Sequence, residues 1–463
     1  MFNKEVYVSR RRRLLEKITD GVILFLGNNE APCNYPDNQY LFRQDSNFLY
    51  FFGIDNPGFA AVLDAATGEE IIFGNDVDID DIIWMGPQPS VSEQAAQVGV
   101  AKSAPFASLE KYLKAAQAKG RRILFTPPYR FDNQIYLNQV LGIGFNAMKE
   151  LASETLVRAI VSMRLQKEPC EIVEIDKACN LGYVMHRTAM EMIQLGMKEQ
   201  DLVGVMEGVC RTGGYMCSFA TILSQHGETM HNHGHEGIIT EGKLLLIDAG
   251  VEIGSHYCSD NTRTWPCSSK FTQQQKEIYS IVSAANNYAL ASARPGITYR
   301  EVHLGAARII VDGLTQLGLL HGDIDEMVAA GVQGMFMPHG LGHNMGLDVH
   351  DMEDLGENYV GYDDDQTRAK QLGLGSLRMA RSLKPGNVIT DEPGIYFIPA
   401  LIEQWKRDGH NAQFIDFGKL EAYYDFGGIR LEDDLLITET GARLLGAERL
   451  PVTVEEVEKA MNR

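Results

Sequence analysis

The sequence predicts an α/β domain, a mixed sheet flanked by helices, over residues 1–165, followed by an α+β domain over residues 166–463 built from two similar halves. Three observations carry this expectation. At 463 residues the chain is too long for one ordinary core and long enough for two. Near residues 160–169 a pattern of short strands gives way to a long amphipathic helix. Beyond that point a unit of turn glycine, apolar strand, carboxylate and closing glycine occurs twice.

In the first domain, the short apolar runs 21–27, 60–64 and 122–126 read as strands, and residues 108–118 as a helix. From Cys170, Ile172, Ile175, Leu181, Val184, Met185, Ala189 and Met192 recur near helical spacing. The repeat then shows itself in two places. Gly196-Met197 before Asp201-Leu202 is matched by Gly296-Ile297 before Glu301-Val302. The stretch from Gly242 to Asp248 and Gly250 is matched by Gly386 to Glu392 and Gly394. Each half therefore delivers an acid at the end of a buried strand.

Composition narrows the function. A formal charge of −20 makes nucleic acid and anionic membrane surfaces poor partners, since both need a basic footprint. Hydrophobic content is 44%, and no apolar run reaches the length of a membrane span, so a soluble protein is expected. The Arg10 to Arg13 run reads as the solvated face of a first helix; no apolar region follows it as in a secretory signal. Seven cysteines without a C-x-x-C pair argue against disulfides and thiolate zinc, and for free thiols in the cytoplasm.

A carboxylate that closes an apolar strand is costly to bury unless a cation accompanies it. Asp248 and Glu392 are such groups. Asp260 lies in the stretch that reads as the strand adjoining Asp248. Glu432 lies in residues 428–437, where a period of two puts Arg430 and Glu432 on one face, away from buried Ile429 and Leu431. His339-Gly340-Leu341-Gly342-His343 adds imidazoles in a segment too glycine-rich for a helix, and His350 follows. Asp248, Asp260, His343, Glu392 and Glu432 form a mostly hard-oxygen set suited to manganese, cobalt or zinc. Four negative charges call for two dications, an arrangement with ions about 3.5–4 Å apart that activates water for hydrolysis.

These motifs resemble the pita-bread metallopeptidases, which include methionine aminopeptidase, aminopeptidase P and prolidase. The resemblance rests on Ile247-Asp248-Ala249-Gly250, Asp260 with Thr262-Arg263-Thr264, the His339 to His343 segment, Glu392-Pro393-Gly394, and Gly428 to Asp433. It implies that Asp248 chelates one ion, that Asp260 and Glu432 bridge both, and that His343 and Glu392 hold the second. Residues 41–53 are similar to the N-terminal domain of aminopeptidase P and the larger prolidases. Asp248 and Asp260 stand one residue further apart than is usual in the family. Gly254-Ser255 is turn chemistry, so the extra residue is expected there and not as a bulge that would rotate Asp260 away.

The resemblance further implies hydrolysis of a Xaa-Pro bond in proline-containing peptides, with Glu392, His350 and His231 as catalytic residues. It sets His339 beside a proline pocket and assigns Arg378, with Arg430, to substrate binding. Arg378 matches the arginine with which prolidase takes a dipeptide's C-terminal carboxylate, which leans the reading toward a dipeptidase. An aminopeptidase acting on longer peptides stays open, and a non-catalytic pseudo-peptidase scaffold is disfavoured by the retained ligands. His233 and His235 match nothing in the family and read as surface residues. Residues 352–371 read as a surface loop or a lid over the site. Relatives imply a homodimer through the N-terminal domain.

Overall fold

A computed structural model describes residues 2–462. The chain divides between Arg164 and Leu165 into two compact units.

The first unit carries α1 (Lys4–Lys17), β1 (Val22–Leu26), α2 (Ser46–Phe52), β2 (Ala60–Asp64), β3 (Glu70–Gly74), β4 (Lys102–Pro105), α3 (Ser108–Ala118) and β5 (Ile123–Leu124). The five strands form a mixed sheet in the order β4-β3-β2-β1-β5, antiparallel at its centre and parallel at both edges. Leu109, Leu113 and Ala116 of α3 pack on this sheet beside Val22, Leu24 and Val62. The arginine run departs from expectation. Arg10 and Arg11 are buried, because α2 ends in an apolar interior and its last carbonyls need donors. Arg10 Nη1 donates to the Tyr50 carbonyl and Arg11 Nη1 to that of Phe51, both at 3.0 Å. Arg11 also pairs with Glu70 at 3.0 Å.

The second unit shows the repeat in three dimensions. α4 (Pro169–Met192) and α5 (Glu199–Gly213) form one helical pair, α6 (Gln273–Ser292) and α7 (Tyr299–Gln316) the other. Both turns follow one rule. Gly196 and Gly296 sit four residues past the helix end with φ of 89° and 88°, a left-handed conformation that suits glycine. After each pair comes a short antiparallel sheet. In the first half, β6 (Ile222–Ser224), β7 (Leu244–Ala249) and β8 (Asn261–Pro266) run in the order β8-β7-β6. In the second, β9 (Val388–Asp391) pairs with β12 (Asp433–Ile437), and β10 (Gly394–Tyr396) pairs with β11 (Gly428–Arg430).

Residues 428–437 are thus two strands, not one. The break falls at Leu431 and Glu432, where the chain leaves β10 and joins β9. Arg430 and Glu432 are buried like Ile429 and Leu431, and both line an internal cavity, not the outer surface. Their polar groups are satisfied inside the protein instead.

Candidate metal centre

Four acids reach one place because each half ends its strands there. Asp248 is on β7 and Asp260 directly precedes β8; Glu392 directly follows β9 and Glu432 directly precedes β12. The halves are joined by backbone, with Glu432 N–H donating to the Thr262 carbonyl at 2.9 Å. Thr262 Oγ1 donates to Glu432 Oε2 at 2.7 Å and fixes that carboxylate.

The register of β7 on β8 accounts for the wider spacing of the two aspartates. Pairing is unbroken from Leu244↔Pro266 to Ala249↔Asn261. It continues through Val251–Ser259 and Ile253–Tyr257 backbone bonds at 2.9 and 3.1 Å. The extra residue therefore lies in the turn Gly254-Ser255-His256, where His256 takes φ 68°, as the last residue of a three-residue hairpin turn often does. No bulge displaces Asp260. Its backbone N–H is bound by Asp434 Oδ2 at 3.0 Å.

The histidine segment lies along β9: His343 N–H donates to Thr390 Oγ1 at 3.1 Å, and Glu392 N–H to the Leu341 carbonyl at 2.8 Å. Its glycines serve close approach more than flexibility. A Cβ on Gly342 would stand 2.1 Å from the Thr390 carbonyl oxygen. His343 Nδ1 bonds the Asn344 carbonyl at 3.1 Å, which leaves Nε2 facing Asp260 Oδ2 at 3.5 Å and Glu392 Oε1 at 3.8 Å.

Asp260, His343 and Glu432 offer donor atoms that all lie within 4.8 Å of one another. With Asp248 and Glu392 they open onto a cavity of about 790 Å³, which His231, His339, His350, Arg378 and Arg430 also line. All ten residues singled out from the sequence meet there. Burial raises the Asp260 carboxyl well above its ordinary pKa, and Asp248, Asp434 and Glu392 add to the rise. Glu432 is raised in the same way by burial, Asp260 and Glu392; burial also raises Glu392. Without cations this cluster resists ionisation.

Arg430 supplies one compensating charge. Its Nη2 pairs with Asp248 Oδ2 at 2.5 Å, its Nη1 donates to the Tyr396 hydroxyl at 2.8 Å and its Nε to Thr262 at 3.1 Å. The Tyr396 hydroxyl lies 2.8 Å from His339 Nε2, and His339 Nδ1 lies 2.7 Å from the Gly340 carbonyl. A carbonyl only accepts, so His339 carries its proton on Nδ1 and accepts from Tyr396 at Nε2. Burial agrees, lowering His339 to about 3 and raising Tyr396 to about 12, both neutral forms.

At the far wall, Arg378 Nη1 lies 3.0 and 2.9 Å from the two ring nitrogens of His350. Glu353 lies 3.3 Å from His350 Nδ1, and burial lowers the pKa of that imidazole. His231 is exposed on its loop at the cavity wall, where partial loss of water contact, followed by the charge of Arg430, lowers its pKa. His233 is exposed but lines the cavity, while His235 is half-buried, its Nδ1 bonded to the Leu223 carbonyl at 3.0 Å. Tyr396, Thr262, Asp434, Glu353 and Glu357 were not legible as site residues. Glu353 and Glu357 stand four apart beside the histidines, the one local signal that marked them.

The model of metallopeptidase family M24 matches residues 173–439, and that of the aminopeptidase P N-terminal domain matches residues 7–125. The chain belongs to metallopeptidase family M24. Human Xaa-Pro dipeptidase is 31% identical, over 98% of this chain and 93% of the relative. A probable Xaa-Pro aminopeptidase of Aspergillus niger is 31% identical over 96% and 95%. Among solved structures, Escherichia coli aminopeptidase P with the inhibitor Pro-Leu matches at TM-score 0.81 and 30% identity, covering 99% of this chain and 98% of that one. Pseudomonas aeruginosa aminopeptidase PepP matches at 0.81 and 28%, with the same coverage. The second unit is thus the pita-bread domain of an M24 enzyme, a family that implies divalent metal ions.

The donors fit such ions. Asp248 Oδ1 and Asp260 Oδ1 are buried with no hydrogen-bond partner among the described residues. Oxygen donors with one imidazole suit divalent cations of intermediate hardness. Among the described residues, no helix is long and apolar enough to cross a membrane.

Proposed function

We propose that this M24 metallopeptidase hydrolyses the N-terminal Xaa-Pro bond of proline-containing peptides, with a lean toward dipeptides. The observation that carries the reading is the meeting of the ten residues singled out from the sequence, four carboxylates, four histidines and two arginines, around one cavity, in a chain 31% identical to a Xaa-Pro dipeptidase along nearly its whole length.

In this reading Asp248, Asp260, His343, Glu392 and Glu432 hold two divalent ions, manganese first and cobalt or zinc as alternatives. When bound, such ions acidify water and polarise the scissile carbonyl. Glu392, whose pKa burial raises, takes the proton of the attacking water and passes it to the prolyl nitrogen as the C–N bond breaks. His350, neutral, accepts from Arg378 Nη1 at Nδ1, 3.0 Å away, which puts its proton on Nε2 to donate to the carbonyl oxygen as that oxygen gains charge, a contact of about 3 kcal/mol in comparable sites. His231 positions the substrate from its loop. His339, locked by Tyr396, flanks the proline ring, and Arg430 meets the substrate from the same wall while holding Asp248. The preference for proline comes from the family resemblance and has a chemical rationale: the nitrogen of the scissile tertiary amide has no N–H, so the site grips the ring and the carboxylate instead. Arg378 takes the carboxylate, which a planar guanidinium can bind through both oxygens.

A second reading, an aminopeptidase acting on longer peptides, is favoured by Glu353 and Glu357, which already approach Arg378 Nε at 3.5 and 3.3 Å. Hydrolysis of Ala-Pro and of Ala-Pro-Ala separates the two, measured with manganese and after chelation, in the parent and in Arg378→Ala. Selective loss of dipeptide hydrolysis in the variant supports the lean. Equal loss on both substrates removes it, and failure of the parent to cleave either peptide sinks the assignment. The reading also carries a homodimer and a cytoplasmic setting. The exposed Ile79, Ile83, Trp84 and Met85 supply apolar surface for a subunit contact, and the seven free cysteines fit a reducing compartment.

A further inference from the structure

The wall of the cavity beyond His350 is built by the segment 352–376, which contributes Glu357, Arg368, Gly375 and Ser376 to the lining. Arg368 is held there as firmly as Arg378. Its Nε donates to Asn358 Oδ1 at 3.0 Å, its Nη1 to the Gly375 carbonyl at 3.1 Å, and its guanidinium lies 5.0 Å from the centre of the Tyr362 ring. Its remaining nitrogen, Nη2, faces Glu357 Oε2 at 2.7 Å. The other oxygen of the same carboxylate, Oε1, faces Arg378 Nε at 3.3 Å. One carboxylate thus spans two guanidinium groups on the wall of the substrate cavity.

We propose that Arg368 is a specificity-determining residue: with Arg378 it forms a two-guanidinium seat for a dipeptide's C-terminal carboxylate, a seat that Glu357 fills until the substrate displaces it. The inference rests on the Xaa-Pro reading given above. The geometry of the seat is read from Glu357 itself, whose carboxylate shows that the two arginines stand at the right separation for one such group between them.

Charge and mobility agree. Arg368, Arg378, Glu353 and Glu357 balance to zero, so the wall has no spare positive charge while Glu357 is in place. When Glu357 withdraws, the wall gains one positive charge, and a free C-terminal carboxylate restores the balance; an amide or a further peptide bond cannot. Withdrawal costs little, because the Glu357 side chain is 36% exposed and begins a helix of only five residues, Glu357–Gly361. Arg368, by contrast, keeps its contacts to Asn358 and Gly375 throughout. The approach of Glu357 to Arg378 then marks the place of the substrate carboxylate, and need not argue for longer peptides.

The test compares Ala-Pro with its C-terminal amide, Ala-Pro-NH2, with manganese present, as the ratio of kcat/KM for acid over amide. Arg368→Met lowers this ratio about tenfold or more, as loss of a charge-assisted carboxylate contact should. Arg368→Lys, which keeps the charge and loses the fork, gives an intermediate ratio. Glu357→Gln removes the competitor and raises the ratio. A ratio for Arg368→Met within about twofold of the parent overturns the proposal, as does a lower ratio in Glu357→Gln. If the parent cleaves neither compound, the Xaa-Pro reading itself fails, and that outcome is visible before any variant is made.

Discussion

Replacement of Lys167 by methionine should destabilise the second unit and weaken catalysis together. Lys167 Nζ pairs with Asp351 Oδ2 at 2.9 Å, and each side chain is only 1% exposed. Asp351 follows His350 directly, and its N–H donates to the Asn344 carbonyl at 3.0 Å, so the pair ties down the turn between His343 and His350. Lys167 is fixed in turn, its N–H donating to the Gly386 carbonyl at 2.7 Å. Removing one partner of a buried pair costs about 3–5 kcal/mol, because the other charge stays in the interior. For a unit of this size that is a fall of about 10 °C in the unfolding midpoint. With His350 freed, kcat should fall more than KM rises. The double variant Lys167→Met, Asp351→Leu should regain most of the midpoint, since an apolar pair of similar volume is often as stable as a buried ion pair. Thermal unfolding followed by circular dichroism reads the first effect and steady-state kinetics the second. A single variant within about 2 °C of the parent would refute the reasoning, as would a double variant less stable than the single one.

Chelation should lower the unfolding midpoint as well as activity. Ions that bind only the native state at a thousand times their Kd add about 4 kcal/mol, and Asp260→Asn should blunt this metal dependence; an unchanged midpoint on chelation would count against a structural contribution from metal. Gly342→Ala should abolish activity and destabilise the second unit, because the added Cβ would stand 2.1 Å from the Thr390 carbonyl oxygen; wild-type stability and turnover in this variant would mean that the segment bearing His343 can yield. In the first unit, the hydrogen bond from Arg121 pulls Asp64 down to about 2, with help from the Thr67 and Ala66 N–H groups. A depressed carboxyl pKa stabilises the folded state above the unfolded value of about 4, and that stability is lost as pH falls through about 2. Asp64→Asn should therefore cost about 2 kcal/mol near neutral pH, with the gap from the parent closing as pH falls from about 4 to 2; a gap that does not change with pH would rule out the ion pair as its source.

The sequence made the ligands legible because their chemistry is local. A carboxylate at the end of an apolar strand, set between a turn glycine and a closing glycine, needs no knowledge of distant residues to look out of place. The two helical turns at Gly196 and Gly296 are local in the same sense, and the two glycines adopt nearly the same φ. Partners are not local, and there the sequence was silent or misleading. Arg10 is a basic residue in a basic run until the Tyr50 carbonyl, 40 residues on, claims it. Arg430 faces Asp248 across 182 residues, so the strand period that put it on one face with Glu432 could not reveal which acid it pairs with.

The same distinction explains why substrate length was the hardest feature to read. The fork of Arg378 is chemistry that any carboxylate can use, and its sequence context points to a dipeptide. What decides its use is which carboxylate reaches it first, and Glu357 and Arg368 sit in a stretch whose charges read as solvated surface. Folded against the cavity, those charges compensate one another, and a balanced set of half-buried charges is sensitive to a single added anion in a way that an exposed set, screened by water, is not. Discrimination between a free carboxylate and an amide is then a property of four side chains acting together. Replacing Arg378 alone tests whether the wall matters; exchanging Glu357 and Arg368 tests how it chooses.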